Sequence, residues 1–252
     1  MRFDILTLFP DMFRPMLEQG VGRRAFADCV QVVLHNPRDC ADGAYRRVDD
    51  RPFGGGPGMV MMAEPLARCL AQAQSQRAAA APVLLFSPHG RRLDHSAVER
   101  WANGQGAVLI CGRYEGLDQR FIDAHVDEQI SLGDFVLSGG EIAAMALLDA
   151  VARLQPGVLG DASSPEQDSF HPLVDGLLDC PHYTRPESWQ GRTVPEVLLS
   201  GNHALIAQWR RQQRLQLTAR LRPDLLVAAR ERGALTREDE AWLVSATTGS
   251  FC

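Results

Sequence analysis

The sequence predicts an α/β protein: a mostly parallel sheet with helices on both faces, followed by a small helical domain. Two observations carry this reading. Over the first 150 residues, short apolar runs alternate with segments of helical periodicity. Strands that alternate with helices imply a mostly parallel sheet covered on both faces. Beyond a small, polar stretch near residue 160 no further apolar runs of this kind follow, and arginine-rich helical patterns take over. The 252 residues, 45% of them hydrophobic, are enough for one large core with a satellite.

Taken in order, RFDILTL (2–8), VQVVLHN (30–36), PVLLFS (82–87), AVLICG (107–112) and DEQISL (127–132) read as strands. Between them, 63–80 and 94–102 have helical spacing. A helix over 142–154 is announced by Ser138 and Glu141, which have capping-box spacing, and it ends near Pro156 and Gly157. The polar stretch GDASSPEQDS, with Pro165 in its middle, predicts a flexible linker over 160–169 between a domain of residues 1–159 and one of residues 170–252. In the second domain 202–218, 223–232 and 236–246 read as helices. Pro223 stands in a first turn and Thr236 at an N-cap, three residues before Asp239.

The chain has no run of 18 apolar residues, and Asp4 interrupts the apolar N-terminal stretch, so neither a membrane span nor a secretory signal is expected and the protein reads as cytoplasmic. Six cysteines, Cys29, Cys40, Cys69, Cys111, Cys180 and Cys252, never fall at a two-residue spacing, which argues against zinc knuckles; they read as idle thiols. The net charge of −5 conceals an uneven distribution. From Glu115 to Glu187 there are 14 acidic residues and 3 arginines, whereas from Gly201 to Arg237 there are 8 arginines and 2 acids. All 26 basic residues are arginine, which suits bidentate contacts to phosphate or guanine.

Three junctions at strand ends combine glycine with polar residues: LFSPHG (85–90), CGRYEG (111–116) and SLGDFVLSGGE (131–141). Parallel sheets bind ligands beyond the carboxyl ends of their strands, so the three together predict a small-molecule site. No G-x-G-x-x-G follows a strand, no lysine exists to complete a P-loop, and G-x-S-x-G is absent, which excludes the ordinary dinucleotide, P-loop and serine-hydrolase readings. A fourth element, RRVDDRPFGGGPGM (46–59), reads as a loop too flexible to bury a core. Its glycines Gly54, Gly55 and Gly56 let a flat base approach the backbone, and Arg46, Arg47 and Arg51 can meet phosphates. A nucleotide hydrolase using this loop would lack both a phosphate-gripping lysine and a paired-carboxylate metal motif.

DDRPFGGGPGM, LFSPHGRRLD, CGRYEGLDQR, LGDFVLSGGE, PGVLG, GLLDCPHYTRPE and VPEVLLSGNH follow one another along the chain. In that order they resemble the bacterial tRNA (guanine-N1)-methyltransferases, from about Phe3 to past Arg210; the last 40 or so residues match only loosely. The resemblance implies a SPOUT-class domain closed by a trefoil knot, a homodimer with an active site shared between subunits, and S-adenosylmethionine bound in the knot. Carried over by position, Leu85, Ser87, Pro88, Gly112, Tyr114, Glu115, Ser131, Leu132, Gly133, Asp134, Phe135, Val136, Leu137, Gly139 and Gly140 would form the cofactor pocket. Asp168 would be the general base and Arg153 its partner at guanine O6. The substrate would be N1 of guanosine 37, 3′ to the anticodon; separately, the basic helices predict that Arg210, Arg211, Arg214, Arg220 and Arg222 meet the tRNA backbone. Phe135, Leu132 and Ala143 stand where the family commonly has tyrosine, isoleucine and proline. Mg²⁺ also enters through the resemblance. No ligand cluster in the sequence identifies its site, and Glu115 and Asp168 are the carboxylates to examine. A catalytically silent RNA-binding protein of the same fold would be expected to lose Asp168 or the LGDFVLSGG junction, and both are intact.

Overall fold

A computed structural model describes residues 1–161 and 164–248. Cys252 therefore lies outside the described residues. The chain divides into two compact units, residues 1–160 and residues 161 onward.

The first unit is built on β1 (Arg2–Leu6), β2 (Gln31–His35), β5 (Val83–Arg92), β6 (Val108–Ile110) and β7 (Glu128–Ser131). They form a parallel sheet in the order β2-β1-β6-β5-β7. The five strands fall on the five apolar runs. Alternation decides what each face meets. Phe3, Ile5, Leu84, Phe86 and Leu109 point to a layer containing α4 (His95–Ala102) and α6 (Glu141–Arg153), whereas Leu6, Val83, Leu85, Val108 and Ile110 point to α3 (Ala63–Ser75) and α5 (Gln119–His125). Because both faces are covered, β6 and the first half of β5 are apolar in consecutive positions, whereas β1 carries the buried Asp4 and the edge strands β2 and β7 carry Gln31, Glu128 and Gln129. Two short helices, α1 (Arg14–Glu18) and α2 (Gly20–Asp28), and a small antiparallel pair, β3 (Asp49–Asp50) with β4 (Val60–Met61), lack the length or pattern to be read from sequence.

Two expectations are corrected in this unit. The helix from Ala63 stops at Ser75, not Ala80, because the Gln74 side chain donates to Ala81 O (2.7 Å) and accepts from Ala81 N (2.9 Å), turning the chain toward β5. The glycine loop does contribute to the core: Val48 is fully buried beside Met61, since the β3/β4 pair anchors both ends of the loop.

Asp4 sits fully buried within β1. Its carboxylate meets Arg2 (2.7 and 2.9 Å), Arg77 (2.5 Å) and His35 Nε2 (2.8 Å). Burial alone would raise its pKa. The hydrogen bonds from His35, Arg2 and Arg77 outweigh it and bring the value from 3.8 down to about 2. A carboxylate depressed in the folded state stabilises the fold above its unfolded pKa and loses that contribution as pH falls through the folded one. The window is therefore about pH 4 to 2, and the contribution about 2 kcal/mol by linkage. Urea unfolding between pH 5 and 2.5 should show this loss in the parent and a flatter profile in Asp4→Asn. Parallel profiles would assign the acid sensitivity to other groups.

The second unit begins with a helical turn, α7 (Ser164–Gln167), where the sequence reading has an irregular linker; residues 162–163 of that linker lie outside the described ones. It continues with a hairpin of β8 (Ser188–Trp189) and β9 (Arg192–Thr193) and a turn, α8 (Glu196–Leu199). Three longer helices follow: α9 (His203–Leu221), α10 (Pro223–Glu231) and α11 (Arg237–Thr248). Leu177, Leu215, Leu226, Ala229 and Leu243 form their common core. The N-cap read from sequence is present: Thr236 Oγ1 accepts from Asp239 N (3.1 Å), and the Asp239 carboxylate accepts from Thr236 N (2.9 Å). Among the described residues no helix is long and apolar enough to cross a membrane.

Candidate active site

Two of the three glycine-bearing segments leave the carboxyl ends of β6 and β7, whereas LFSPHG, expected at a strand end, is a bulge inside β5, where the register against β7 shifts between Phe86 and Arg91; together they line one cavity of about 400 Å³, within the range of small-molecule sites. From β5 come Leu85, Ser87 and Pro88, and from the β6 exit Gly112, Tyr114 and Glu115. The β7 exit supplies Ser131, Leu132, Gly133, Phe135, Val136, Leu137, Gly139 and Gly140. Asp134 is apart from this lining, 93% exposed and paired with Arg92 at 3.2 Å.

Close backbone approach, rather than conformation alone, explains the glycines that matter most. Gly140 has an ordinary helical φ of −77°. Its N–H donates to Gly112 O (2.9 Å), and a side chain there would press on the Cys111 Cα at 2.7 Å and the Gly112 nitrogen at 3.1 Å. The β6 and β7 exits thus touch through bare backbone. At Gly112 a methyl would meet only the tip of Leu117, at 2.8 Å. Tyr114 holds a left-handed φ of +60°, which turns the β6 exit back over the cavity. The glycine loop is pinned beside it, with Glu115 N donating to Met59 O (3.0 Å), Met61 N to Gly116 O (2.8 Å) and Asp118 N to Met61 O (2.9 Å). Around Gly54, Gly55 and Gly56 there is open space, and Phe53 is fully exposed.

The capping box expected of Ser138 and Glu141 is not formed. Gly140 takes the N-cap position of α6 without a side-chain cap, and Glu141 turns inward, fully buried. Its carboxylate accepts from Thr7 Oγ1 (2.8 Å) and pairs with Arg113 Nη2 (2.9 Å). Burial of a carboxylate is tolerated where partners replace water; here Thr7 supplies a hydrogen bond to Oε1 and Arg113 the countercharge at Oε2, which accepts no hydrogen bond. Arg113, which also lines the cavity, lies over the Phe9 ring (4.3 Å to the centroid) and donates to Ser138 O (3.2 Å). Sequence reasoning missed Arg113, Glu141 and Thr7. A buried ion pair between positions 113 and 141 leaves no local signature.

Arg153 is the last residue of α6, in the first unit, and Asp168 follows α7 in the second, its N–H donating to Pro165 O (3.2 Å); both side chains are half-buried. Of the arginines read as RNA contacts, Arg46 pairs with Asp39 (2.9 Å) and Arg47 with Asp50 (3.1 Å), both at exposed positions where such pairs are weak and easily exchanged for phosphate. Arg51 is exposed in the same loop. On α9, Arg210 is exposed, Arg211 is held by Asp239 and Asp175, and Arg214 by Asp179. Those two therefore brace the helical unit. Among the described residues neither Glu115 nor Asp168 belongs to a cluster of ligands suited to Mg²⁺, which takes several oxygens, so no step is routed through a metal.

Comparison with known proteins places this geometry. The family model described as tRNA (Guanine-1)-methyltransferase TrmD matches residues 1–228. A protein of Albidiferax ferrireducens named tRNA (guanine-N(1)-)-methyltransferase is 72% identical over 246 residues, covering 97% of this chain and 99% of the relative. Proteins of the same name from Paracidovorax citrulli and Bordetella pertussis are 68% and 58% identical, each over at least 96% of this chain and 97% of its own length. The order of motifs, the parallel sheet and nearly full-length identity agree, and the chain belongs to the tRNA (guanine-1)-methyltransferase family.

Proposed function

We propose that this protein transfers the methyl group of S-adenosylmethionine to N1 of guanosine 37, beside the anticodon of tRNA, in the cytoplasm and as a homodimer whose active site is shared between subunits. The observation that carries the reading is the convergence of the three glycine-bearing segments on one cavity, with the Gly140 amide on the Gly112 carbonyl, in a chain of this family. Gly112, Gly139 and Gly140 would hold the adenosine end, and Leu85, Ser87, Pro88, Leu132, Gly133, Phe135, Val136 and Leu137 the walls around it. Membership of the family supports reading these two exits as part of the trefoil knot of the SPOUT class.

When bound, S-adenosylmethionine supplies an already activated methyl, so the protein has mainly to align and to remove a proton. Guanine N1 carries a hydrogen, and Asp168 would accept that proton as N1 takes the methyl, so that the methylated base would leave the step neutral. Arg153 would stabilise the negative charge gathering on O6 during deprotonation. Arg46, Arg47, Arg51 and Arg210 would meet phosphates, with Gly54 to Gly56 allowing close approach of the RNA.

Primer extension on a tRNA with guanosine at position 37, incubated with the protein and S-adenosylmethionine, is expected to stop beside the anticodon, since a methyl on N1 blocks base pairing. A stop elsewhere, or none from a protein shown by calorimetry to bind the methyl donor, would overturn the assignment.

A further inference from the structure

We infer that Glu141 is a positioning and specificity residue: its buried carboxylate holds Arg113 in place and sets the charge of the pocket so that it favours a sulfonium over a neutral thioether. The inference rests on the proposed cofactor pocket and goes beyond it, because Glu141 itself does not line the cavity.

Arg113 is the arginine of the lining, and Glu115 its carboxylate. Left alone, the two would cancel. Behind the wall, Glu141 is paired with Arg113 at 2.9 Å, with side chains 1% and 15% exposed, so water screens this pair poorly. Counted with Glu141, the set carries one net negative charge. S-adenosylmethionine carries one net positive charge, from an ammonium, a carboxylate and a sulfonium, and the demethylated product carries none. The charge balance therefore matches the donor and not the product, a preference that would help exchange spent product for fresh donor.

The same pair has a mechanical side. Arg113 joins Phe9 beyond β1, Ser138 in the β7 exit and Glu141 at the start of α6. The guanidinium also fills the space where a Gly139 side chain would stand. Without the carboxylate, the cation remains at the wall with its main partner gone.

Glu141→Gln keeps the shape and the bond from Thr7 and removes only the charge. Calorimetry should find binding of S-adenosylmethionine weakened about tenfold, the order expected of one unit charge acting over several ångströms in a protein-like dielectric. Binding of S-adenosylhomocysteine should change less than about threefold on the same reasoning. Glu141→Asp, which keeps the charge, should retain the parental preference between the two ligands. Adding Arg113→Gln to Glu141→Gln restores the net charge and should restore the preference. Equal weakening of both ligands would mean that Glu141 only supports the loops, and an unchanged preference would remove it from recognition; either result overturns the inference. If Glu141→Gln alone does not fold, the double variant Glu141→Gln with Arg113→Gln, which leaves no unpaired buried charge, carries the test: it should keep the parental preference for the sulfonium, and a lost preference would overturn the inference. Failure of the parent to bind either ligand would instead count against the pocket assignment.

Discussion

Asp168→Asn is expected to bind S-adenosylmethionine and tRNA nearly as the parent does and to lose about 10² to 10⁴ of the single-turnover rate, the usual worth of a general base. The asparagine side chain keeps the size and much of the hydrogen-bonding capacity of the carboxylate but cannot accept the N1 proton. Raising the pH should recover part of the rate, because guanine then ionises without help and the missing acceptor matters less. Arg153→Lys separates the second role. It keeps the positive charge and loses the planar fork, so it should lower the rate without the rescue by base. A rapid-quench time course with tRNA in excess of its dissociation constant reads both. A parental rate in Asp168→Asn, or a loss confined to tRNA affinity, would give the proton to another group and leave Asp168 as a residue of the turn after α7.

The centre of the sheet was legible because burial on both faces writes itself into consecutive residues: Val83 to Phe86 and Val108 to Ile110 are apolar at every position and too short for helices, and they lie between two helical layers. Thr236 and Asp239 were legible for a local reason, since a cap needs only residues three apart. The same local rule misled at Ser138 and Glu141. There a nonlocal pairing with Arg113 and Thr7 outcompetes the cap, and sequence spacing cannot report an interaction across 134 residues. The ion pairs of α9 were not legible in the same way: Arg211 and Arg214 read as contacts to the RNA backbone, and the carboxylates that hold them, Asp239, Asp175 and Asp179, are distant in sequence. At the site, the glycines announced that some backbone must come close. Which strand end each one meets followed only from the fold.

That difference between glycines yields the second large effect. Gly140→Ala should weaken S-adenosylmethionine binding about 10- to 100-fold, corresponding to the roughly 1–3 kcal/mol that an added methyl costs in a packed site. The new carbon would press on the Cys111 Cα and the Gly112 nitrogen, which are backbone and cannot swing aside. The loop from Ser131 to Gly140 must then lift away from the β6 exit, breaking the bond from Gly140 N to Gly112 O and opening the cavity on the side where the adenosine would lie. Gly112→Ala meets only a terminal methyl of Leu117, which can change rotamer, so its effect should be several-fold smaller. Calorimetry with both variants, each checked by thermal unfolding, gives the order. Unlike the charge change at Glu141, this one should weaken S-adenosylmethionine and S-adenosylhomocysteine alike, because the space lost belongs to the adenosine they share. Parental affinity in a folded Gly140→Ala protein would show that the contact between the β6 and β7 exits does not shape the pocket.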